Sequence, residues 1–243
     1  NTGKTTLFNQ LTGLKQKVGN WAGVTVDKKQ GSFETTNFNC DITDLPGIYS
    51  LPYSLENNNI DHNQAIDEQI AANALLNNEN KVDCVINIID ASNLSRNLYL
   101  TTQLLDLNIP VIVVVNMMDI AKKSGHIINC KVLEASLKCK VVPMSARKNQ
   151  GIKEFSKALD DLLAQEPKSK TSYNWQIPAP TIAPITRVLN NYNYQKSSKL
   201  KAKSSYWQSL CALNLPNDIL EEHFSPLDIK TITSTRENLS KNS

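Results

Sequence analysis

The chain lacks long hydrophobic runs, clustered metal ligands and a strong excess of charge. Its longest apolar runs, Val82–Ile89 and Val111–Val115, have only the length of a β-strand, so neither could cross a bilayer. The five cysteines are scattered singly, without a C-x-x-C pair or a cysteine–histidine cluster, which argues for reduced thiols and against a zinc or iron–sulfur site. The net charge of +3 is too small to indicate a nucleic-acid-binding protein.

The most informative segment that is present is the first six residues, N-T-G-K-T-T. They match the second half of a phosphate-binding loop, G-x-x-x-x-G-K-[ST], and we expect its first glycine and the preceding strand to lie before residue 1. In such a loop the lysine reaches the β- and γ-phosphates and the hydroxyl after it binds Mg²⁺, while a following helix points its positive N-terminus at the anion. The residues predicted to bind the phosphates of a nucleotide are Asn1, Thr2, Gly3, Lys4, Thr5 and Thr6.

Two further elements typical of GTPases follow in order. Asp44-Leu45-Pro46-Gly47 comes after a strand-like run and fits D-x-x-G, in which Asp44 is predicted to hold Mg²⁺ through a water and the Gly47 amide to sense the γ-phosphate. Thr25 lies in a Gly-Val-Thr segment between the first helix and the next strand. It is therefore the candidate for the first switch and for a Mg²⁺ ligand beside Thr5.

The pattern N-x-x-D, which reads guanine in GTPases, occurs four times in this asparagine-rich chain. Only Asn116 directly follows a β-branched run, at the carboxyl end of a predicted parallel strand, where nucleotide sites lie. Asp119 can accept from guanine N1–H and from the 2-amino group, which adenine lacks. The residues predicted to contact the base are Asn116, Met117, Asp119, Ser145 and Ala146.

Alternating strand and helix signals predict an α/β fold with a mainly parallel, doubly wound sheet. The predicted strands are Gly31–Thr35, Phe38–Asp44, Val82–Asp90, Pro110–Asn116 and Lys140–Ser145. The predicted helices are Lys4–Thr12, Ala65–Asn77, Ser95–Leu107, Lys131–Lys138 and Ile152–Ala164. The asparagine-rich stretch Glu56–Asn63 is predicted to be a solvated connection that also serves as a second switch.

A predicted boundary near Gln165 divides the chain into a nucleotide-binding domain, residues 1–166, and a small all-helical domain, residues 167–243. Short helices are predicted at 185–192, 206–213 and 218–223, with no strand pattern between them. The basic run from Lys196 to Lys203 is interpreted mainly as a solvated surface. Anionic lipid headgroups and RNA remain alternative partners for it.

The chain resembles a specific family, the cytosolic G domain of bacterial ferrous iron transport protein B (FeoB). The resemblance rests on N-W-x-G-V-T-V at Asn20–Val26, D-L-P-G-x-Y-S-L at Asp44–Leu51 and N-M-M-D at Asn116–Asp119, and Ala22 departs from the proline usual in the family. It implies a P-loop GTPase that uses GTP, GDP and Mg²⁺ to regulate or drive ferrous iron uptake. It further implies a membrane transport domain in the same parent protein at the cytoplasmic face of the bacterial inner membrane, no nucleic-acid partner, and a homo-oligomer as an open alternative.

Hydrolysis is predicted to be slow, with Lys4, Thr25 and Gly47 as the catalytic set. Many GTPases orient the attacking water with a glutamine just after D-x-x-G, and that position here is Ile48; no arginine lies in the switch segments. In FeoB-like and other potassium-stimulated GTPases, an asparagine in the position of Asn1 coordinates K⁺, helped by carbonyls of the first switch, here among Gly19–Gly23. The alternative is that Asn1 only caps the loop through a backbone hydrogen bond.

Two other function classes stay open at this point. A GTPase acting on ribosomal or transfer RNA shares every nucleotide element, although no stacking aromatics repeat along the lysine run. A non-enzymatic module that senses GTP by switch order alone is also compatible with the apolar Ile48.

Overall fold

The structure is a computed structural model that describes residues 2–13, 16–21, 24–52, 66–76, 82–107, 109–165, 176–177, 179–196 and 206–241. The chain divides into two compact units, one formed by the described residues up to 51 and from 66 to 165, the other by Pro52 and the described residues from 176 onward. Each unit contains a hydrophobic core of its own. Among the described residues, no helix combines the length and the apolar character that a membrane span requires.

Three N-terminal strands form an antiparallel sheet in the order β1-β2-β3. Their bounds are β1 Gln16–Asn20, β2 Asp27–Glu34 and β3 Asn39–Asp44. The sequence prediction missed β1 and the first half of β2 because these segments are polar and mostly exposed, so they show no hydrophobic alternation. They become strands by pairing with each other at the edge of the sheet, and the turn at 35–38 sets the antiparallel direction of β3.

Three later strands form the parallel sheet that the apolar runs predicted. They are β4 Val85–Asp90, β5 Val111–Asn116 and β6 Lys140–Pro143, in the order β4-β5-β6. All six residues of β5 are buried, as expected for a central strand covered on both faces. The carboxyl ends of β4, β5 and β6 therefore lie along one edge of the sheet, directly before the predicted base-reading residues.

The helices of this unit match the predicted helices to within one residue at each end. They are α1 Lys4–Thr12, α2 Ile66–Leu76, α3 Leu94–Asp106, α5 Cys130–Leu137 and α6 Ile152–Leu163. A short unpredicted helix, α4 Met118–Lys123, starts within the base-reading motif. The core between helices and sheets includes Leu7, Phe33, Ile112, Val114, Val142 and Phe155.

The described residues of the second unit are helical, in agreement with the predicted helical character. The helices are α7 Ala179–Lys196, α8 Tyr206–Asn214, α9 Asn217–His223 and α10 Pro226–Lys241. α7 starts six residues before the prediction, which took Pro180 and Pro184 as helix breaks. Pro180 lies in the first turn, where a missing N–H costs nothing, and Pro184 lies inside the helix. α10 was missed because of its β-branched residues, although Ser225 and Asp228 form a recognisable N-terminal cap. Residues 166–175 lie outside the described residues, so the boundary at 166 and 167 stays a prediction.

Candidate nucleotide-binding site

The predicted phosphate loop is joined to the end of β5 by Asn116. The Asn116 side chain donates from Nδ2 to the Thr2 carbonyl at 2.8 Å and is only 3% exposed. Gly3 lies against it with a φ of 89°, and a Cβ built at Gly3 would stand 2.2 Å from Asn116 Nδ2. Only glycine fits this left-handed and crowded position, which explains the glycine of the motif in this chain.

Lys4 and Asp44, predicted to bind phosphate and Mg²⁺, meet although they are 40 positions apart in sequence. Lys4 Nζ donates to Asp44 Oδ1 in an ion pair, and the Asp44 side chain is 9% exposed. Lys4 starts α1, whose first residues Thr5 and Thr6 are exposed. The lysine of the loop, the hydroxyl after it and the carboxylate of D-x-x-G thus share one region.

This donor set suits Mg²⁺. Mg²⁺ in nucleotide sites takes one or two protein oxygens and fills its remaining positions with phosphate oxygens and water. The Thr5 hydroxyl is an oxygen donor of that kind, and the Asp44 carboxylate would hold the metal through one of its waters. Elsewhere in the described part of the chain, no group of three or more His, Cys, Asp or Glu side chains is placed to hold a metal.

The two predicted γ-phosphate sensors lie in open surroundings. Thr25 is exposed in a bend before β2, and within the described residues no side-chain hydrogen bond joins it to Lys4 or Asp44. Gly47 is exposed, and a Cβ there would meet nothing within 4 Å. The structure therefore brings Lys4 and Asp44 together but leaves Thr25 apart from them.

The base-reading residues converge at the ends of β5 and β6. Asn116 Oδ1 accepts from the Ala146 amide at 2.9 Å, so one side chain joins the phosphate loop to the loop after β6. Asp119 Oδ1 accepts from Ser145 Oγ at 2.8 Å, and Asp119 Oδ2 pairs with Lys148 Nζ at 3.0 Å. The hydrogen bonds from Lys148 and then Ser145 lower the pKa of Asp119 below its ordinary value. Both oxygens are held in one place and stay ionised, as an acceptor for two guanine donors must be.

The backbone at Met117 positions that carboxylate. Met117 adopts a left-handed conformation with a φ of 62° and directly precedes α4, so Asp119 falls in the first turn of the helix. The Met118 amide donates to the Met144 carbonyl at 3.3 Å, and the Met144 amide donates to the Val115 carbonyl at 2.8 Å. These bonds tie the end of β5 to the segment before Ser145.

Sequence reasoning missed two residues that complete this end of the site. Lys148 is one, and the other is Gln10 of α1, whose Nε2 donates to the Ala146 carbonyl at 2.5 Å and to Asn149 Oδ1 at 2.7 Å. No local motif signals either of them, because the contact with Gln10 spans 136 positions. The helix behind the phosphate loop therefore also holds the base loop.

The segment after D-L-P-G is contacted by α3. The Arg96 guanidinium lies over the Tyr49 ring, 3.6 Å from its centroid, and Gln103 hydrogen-bonds to the Leu51 backbone. Ser50 Oγ also lies 3.2 Å from Glu68 Oε1 of α2. The prediction that no arginine lies within the switch segments holds for the sequence, but the fold brings Arg96 onto one of them.

Several predicted features cannot be placed. Those outside the described residues are Asn1, Ala22, Gly23, the stretch 56–63 and the lysines at 199, 201 and 203. The K⁺ site at Asn1, the second switch at 56–63 and the partner of the lysine run therefore stay predictions.

The chain is similar to proteins of one family over most of its length. The family model described as ferrous iron transport protein B matches residues 1–159. Curated relatives include the Fe(2+) transporter FeoB of Shigella flexneri, 49% identical over 166 residues that make up 68% of this chain and 20% of the relative. The Fe(2+) transporter FeoB of Salmonella typhi is 50% identical over 160 residues, 66% of this chain and 20% of the relative. The chain thus spans about a fifth of the length of these curated relatives.

Solved structures of related proteins extend the similarity across both units. The cytosolic domain of L. pneumophila FeoB is 36% identical with a TM-score of 0.71, covering 97% of this chain and 93% of that one. The cytosolic domain of the T. maritima FeoB iron transporter in GDP form II is 30% identical with a TM-score of 0.74, covering 100% and 95%. The same domain in a GMPPNP form has a TM-score of 0.70 at the same identity and coverage.

Proposed function

Because the chain belongs to the ferrous iron transport protein B family, we propose that it binds GTP and hydrolyses it slowly in the service of ferrous iron uptake. The observation that carries the proposal is the double hydrogen bond of Asn116, which joins a phosphate loop to a base-reading loop. The solved GDP and GMPPNP forms of a related cytosolic domain support the choice of guanine nucleotide.

In this proposal, different residues of the chain have different roles in hydrolysis. Lys4, which is placed beside Asp44, balances charge on the β- and γ-phosphates. The Thr5 hydroxyl would bind Mg²⁺ directly, and the Asp44 carboxylate would hold it through a water. Mg²⁺, when bound, neutralises the charge that develops between these two phosphates. Thr25 and the Gly47 amide join the site when the γ-phosphate orders the switches. Since the Ile48 side chain can neither donate nor accept, it cannot orient the water, and hydrolysis is slow.

Asp119 gives the site its preference for guanine. Its carboxylate, oriented by Ser145 and Lys148, accepts from both N1–H and the 2-amino group of the base. Asn116 keeps the base loop in register with the phosphate loop. In our proposal Asn1 coordinates K⁺ beside the phosphates and so takes the place of an arginine finger.

The iron-transport part of the proposal concerns a longer protein. The curated relatives are described as Fe(2+) transporters and are about five times as long as the matched region. We therefore propose that this chain acts at the cytoplasmic face of the bacterial inner membrane, with a membrane domain of the same protein as its partner. The second unit would connect the two and influence nucleotide release.

Base selectivity tests the nucleotide assignment directly. We expect GTP and GDP to bind several orders of magnitude more tightly than ATP and ADP, because a site built around hydrogen bonds rejects a ligand that leaves them unpaired. The measurement is a titration with fluorescent guanine and adenine nucleotides in the presence of Mg²⁺. Equal affinity for GTP and ATP would contradict the assignment.

A further inference from the structure

α3 contacts the segment after D-L-P-G at two points that lie on one face of the helix. Arg96 and Gln103 are seven residues apart, which is about two helical turns, so their side chains leave the helix in the same direction. Arg96 meets Tyr49 and Gln103 meets Leu51, two residues further along the segment. The segment therefore runs along this face of α3.

The contact at Leu51 is buried. The Leu51 amide donates to Gln103 Oε1 at 2.8 Å, and Gln103 Nε2 donates to the Leu51 carbonyl at 3.3 Å. Leu51 is 1% exposed and Gln103 is 3% exposed. Breaking these bonds would leave buried polar groups unpaired, so Leu51 is a fixed point of the segment.

The contact at Tyr49, unlike the one at Leu51, is exposed to solvent. Tyr49 is 44% exposed, and its partner Arg96 is also exposed. A cation–π pair at an exposed site is weak and can open and close readily. The stretch from Gly47 to Tyr49 thus leads to a fixed point at Leu51, while its own contact with α3 is the weak one between Tyr49 and Arg96.

This stretch matters because of Ile48. An apolar side chain cannot orient water, so any orientation that this segment gives to water and γ-phosphate must come from its backbone groups. A Cβ built at Gly47 would meet nothing within 4 Å, so no neighbouring element packs against this side of the glycine. The nearest described contact that holds this stretch is the stacking of Arg96 on Tyr49.

We propose that Arg96 is a positioning residue for GTP hydrolysis, which acts through the Tyr49 ring to hold the backbone of Gly47–Tyr49 at the γ-phosphate. This inference rests on the proposed function, since it names a further residue for the same reaction. Arg96 does not touch the phosphate in this proposal. It therefore differs from an arginine finger, which stabilises transition-state charge directly.

A double-mutant cycle on the full natural protein tests the proposal. Single-turnover GTP hydrolysis at saturating nucleotide is measured for Arg96→Ala, Tyr49→Leu and the double variant, together with GDP affinity. Each single variant should hydrolyse GTP about two- to fivefold more slowly, the scale of one exposed cation–π contact. The double variant should be no slower than the slower single variant, because both remove the same contact. GDP affinity should be unchanged in all three.

Two comparison variants sharpen the result. Tyr49→Phe keeps the ring and should retain nearly the unsubstituted rate, whereas a role for the Tyr49 hydroxyl would lower it. Arg187→Ala removes an exposed arginine from α7 of the second unit and controls for the loss of one positive charge. It should leave the rate unchanged.

The contrary outcomes are distinct from one another. An unchanged rate in Arg96→Ala, or effects that multiply in the double variant, would overturn the proposal, the second by showing that Arg96 acts independently of Tyr49. A loss of GDP affinity as large as the loss of rate would show a structural role instead. If the unsubstituted protein itself fails to prefer GTP over ATP, the proposed function fails and this inference fails with it.

Discussion

At the scale of single residues, Asp119 is the residue that we propose decides which base the site accepts. Its carboxylate receives hydrogen bonds from Ser145 and Lys148, so its two oxygens are oriented before any ligand arrives. An amide in its place presents one donor and one acceptor instead of two acceptors. We expect Asp119→Asn to lose GTP affinity by several orders of magnitude and to prefer xanthosine nucleotides, whose 2-oxo group accepts from the amide. Competition titrations with GTP and xanthosine triphosphate measure this, and an unchanged GTP affinity would show that Asp119 does not read the base.

The pKa of the same residue predicts how base selectivity depends on pH. Because Lys148 and then Ser145 lower the pKa of Asp119, the carboxylate loses its charge only at a pH below the usual range of aspartate. The acceptor therefore stays ionised throughout the neutral and mildly acidic range. Selectivity for GTP over ATP should be flat from about pH 5 to pH 8. Affinity ratios measured across that range would contradict the assignment if they fell on the acid side near pH 6.

Thr25 is predicted to act only in the triphosphate state. It is exposed, and the structure does not bring it to Lys4 or Asp44. Thr25→Ala should therefore leave GDP affinity nearly intact while turnover falls by tenfold or more, on the order of one lost electrostatic contact. Steady-state hydrolysis and GDP titration on the same preparation separate the two effects. Equal losses in both would make Thr25 a structural residue.

At the scale of elements, α1 serves both ends of the site. Its first turn follows the phosphate loop, and Gln10 in its last turns donates to the Ala146 carbonyl and to Asn149. A change in the position of α1 is thus transmitted to the base loop through one side chain. We therefore expect the Gln10 contact, which lies outside all the motifs, to influence the rate of nucleotide release.

Gln10→Ala should accelerate the release of GDP. The two hydrogen bonds to the base loop together contribute about 1–3 kcal/mol, so their loss should raise the dissociation rate by roughly fivefold or more. Stopped-flow chase of a fluorescent GDP measures the rate. Gln165→Ala is the matched control, because Gln165 is an exposed glutamine whose side chain, in the described part of the chain, donates to the nearby Asp161 carbonyl rather than to the base loop. Identical release rates in the two variants would mean that the base loop does not depend on α1.

The elements differ in how far they could be predicted. β4, β5 and β6 follow directly from apolar runs, because a strand buried on both faces has to be apolar. β1, an exposed edge strand, and the polar start of β2, its central neighbour, could not be predicted, since these segments are defined by pairing and carry no hydrophobic pattern of their own. α10 did carry a signal in the Ser225 cap, but β-branched residues obscured it.

The same contrast holds for the site. Lys4, Asp44, Asn116 and Asp119 could be named because each belongs to a short motif with a fixed chemical task. Gln10, Arg96 and Lys148 could not, because their partners are brought to them by the fold. The residues proposed to bind the nucleotide could therefore be named from the sequence, whereas those that hold them in place could not.

At the scale of the whole molecule, the predicted nucleotide-binding motifs lie in one of the two units, and each unit has a hydrophobic core of its own. The first unit contains the motifs described above, and the second has a core of its own, built from α7 to α10. In the second unit Arg236 donates to the carbonyls of Ala212, Leu213 and Leu215 at the end of α8, a structural use of a guanidinium group. Arg96 lies over Tyr49, so neither arginine is committed to a phosphate.

Hydrolysis by the whole molecule should therefore depend on an added monovalent cation. With Ile48 where a glutamine would orient water, the charge that develops between the β- and γ-phosphates needs a positive partner, and Asn1 is the predicted side chain to hold one. We expect K⁺ to accelerate GTP hydrolysis relative to Na⁺. Asn1→Ala should remove most of that stimulation, with a barrier increase of about 1–3 kcal/mol, comparable to losing one electrostatic stabiliser. Single-turnover rates in matched KCl and NaCl at saturating GTP measure both effects, and Ile48→Ala serves as the control because an apolar side chain cannot act as the base. Identical rates in the two salts for the unsubstituted protein would contradict a K⁺ site and leave Asn1 as a cap of the loop. The slow hydrolysis would then follow from the lack of a cation that stabilises the charge developing between the β- and γ-phosphates.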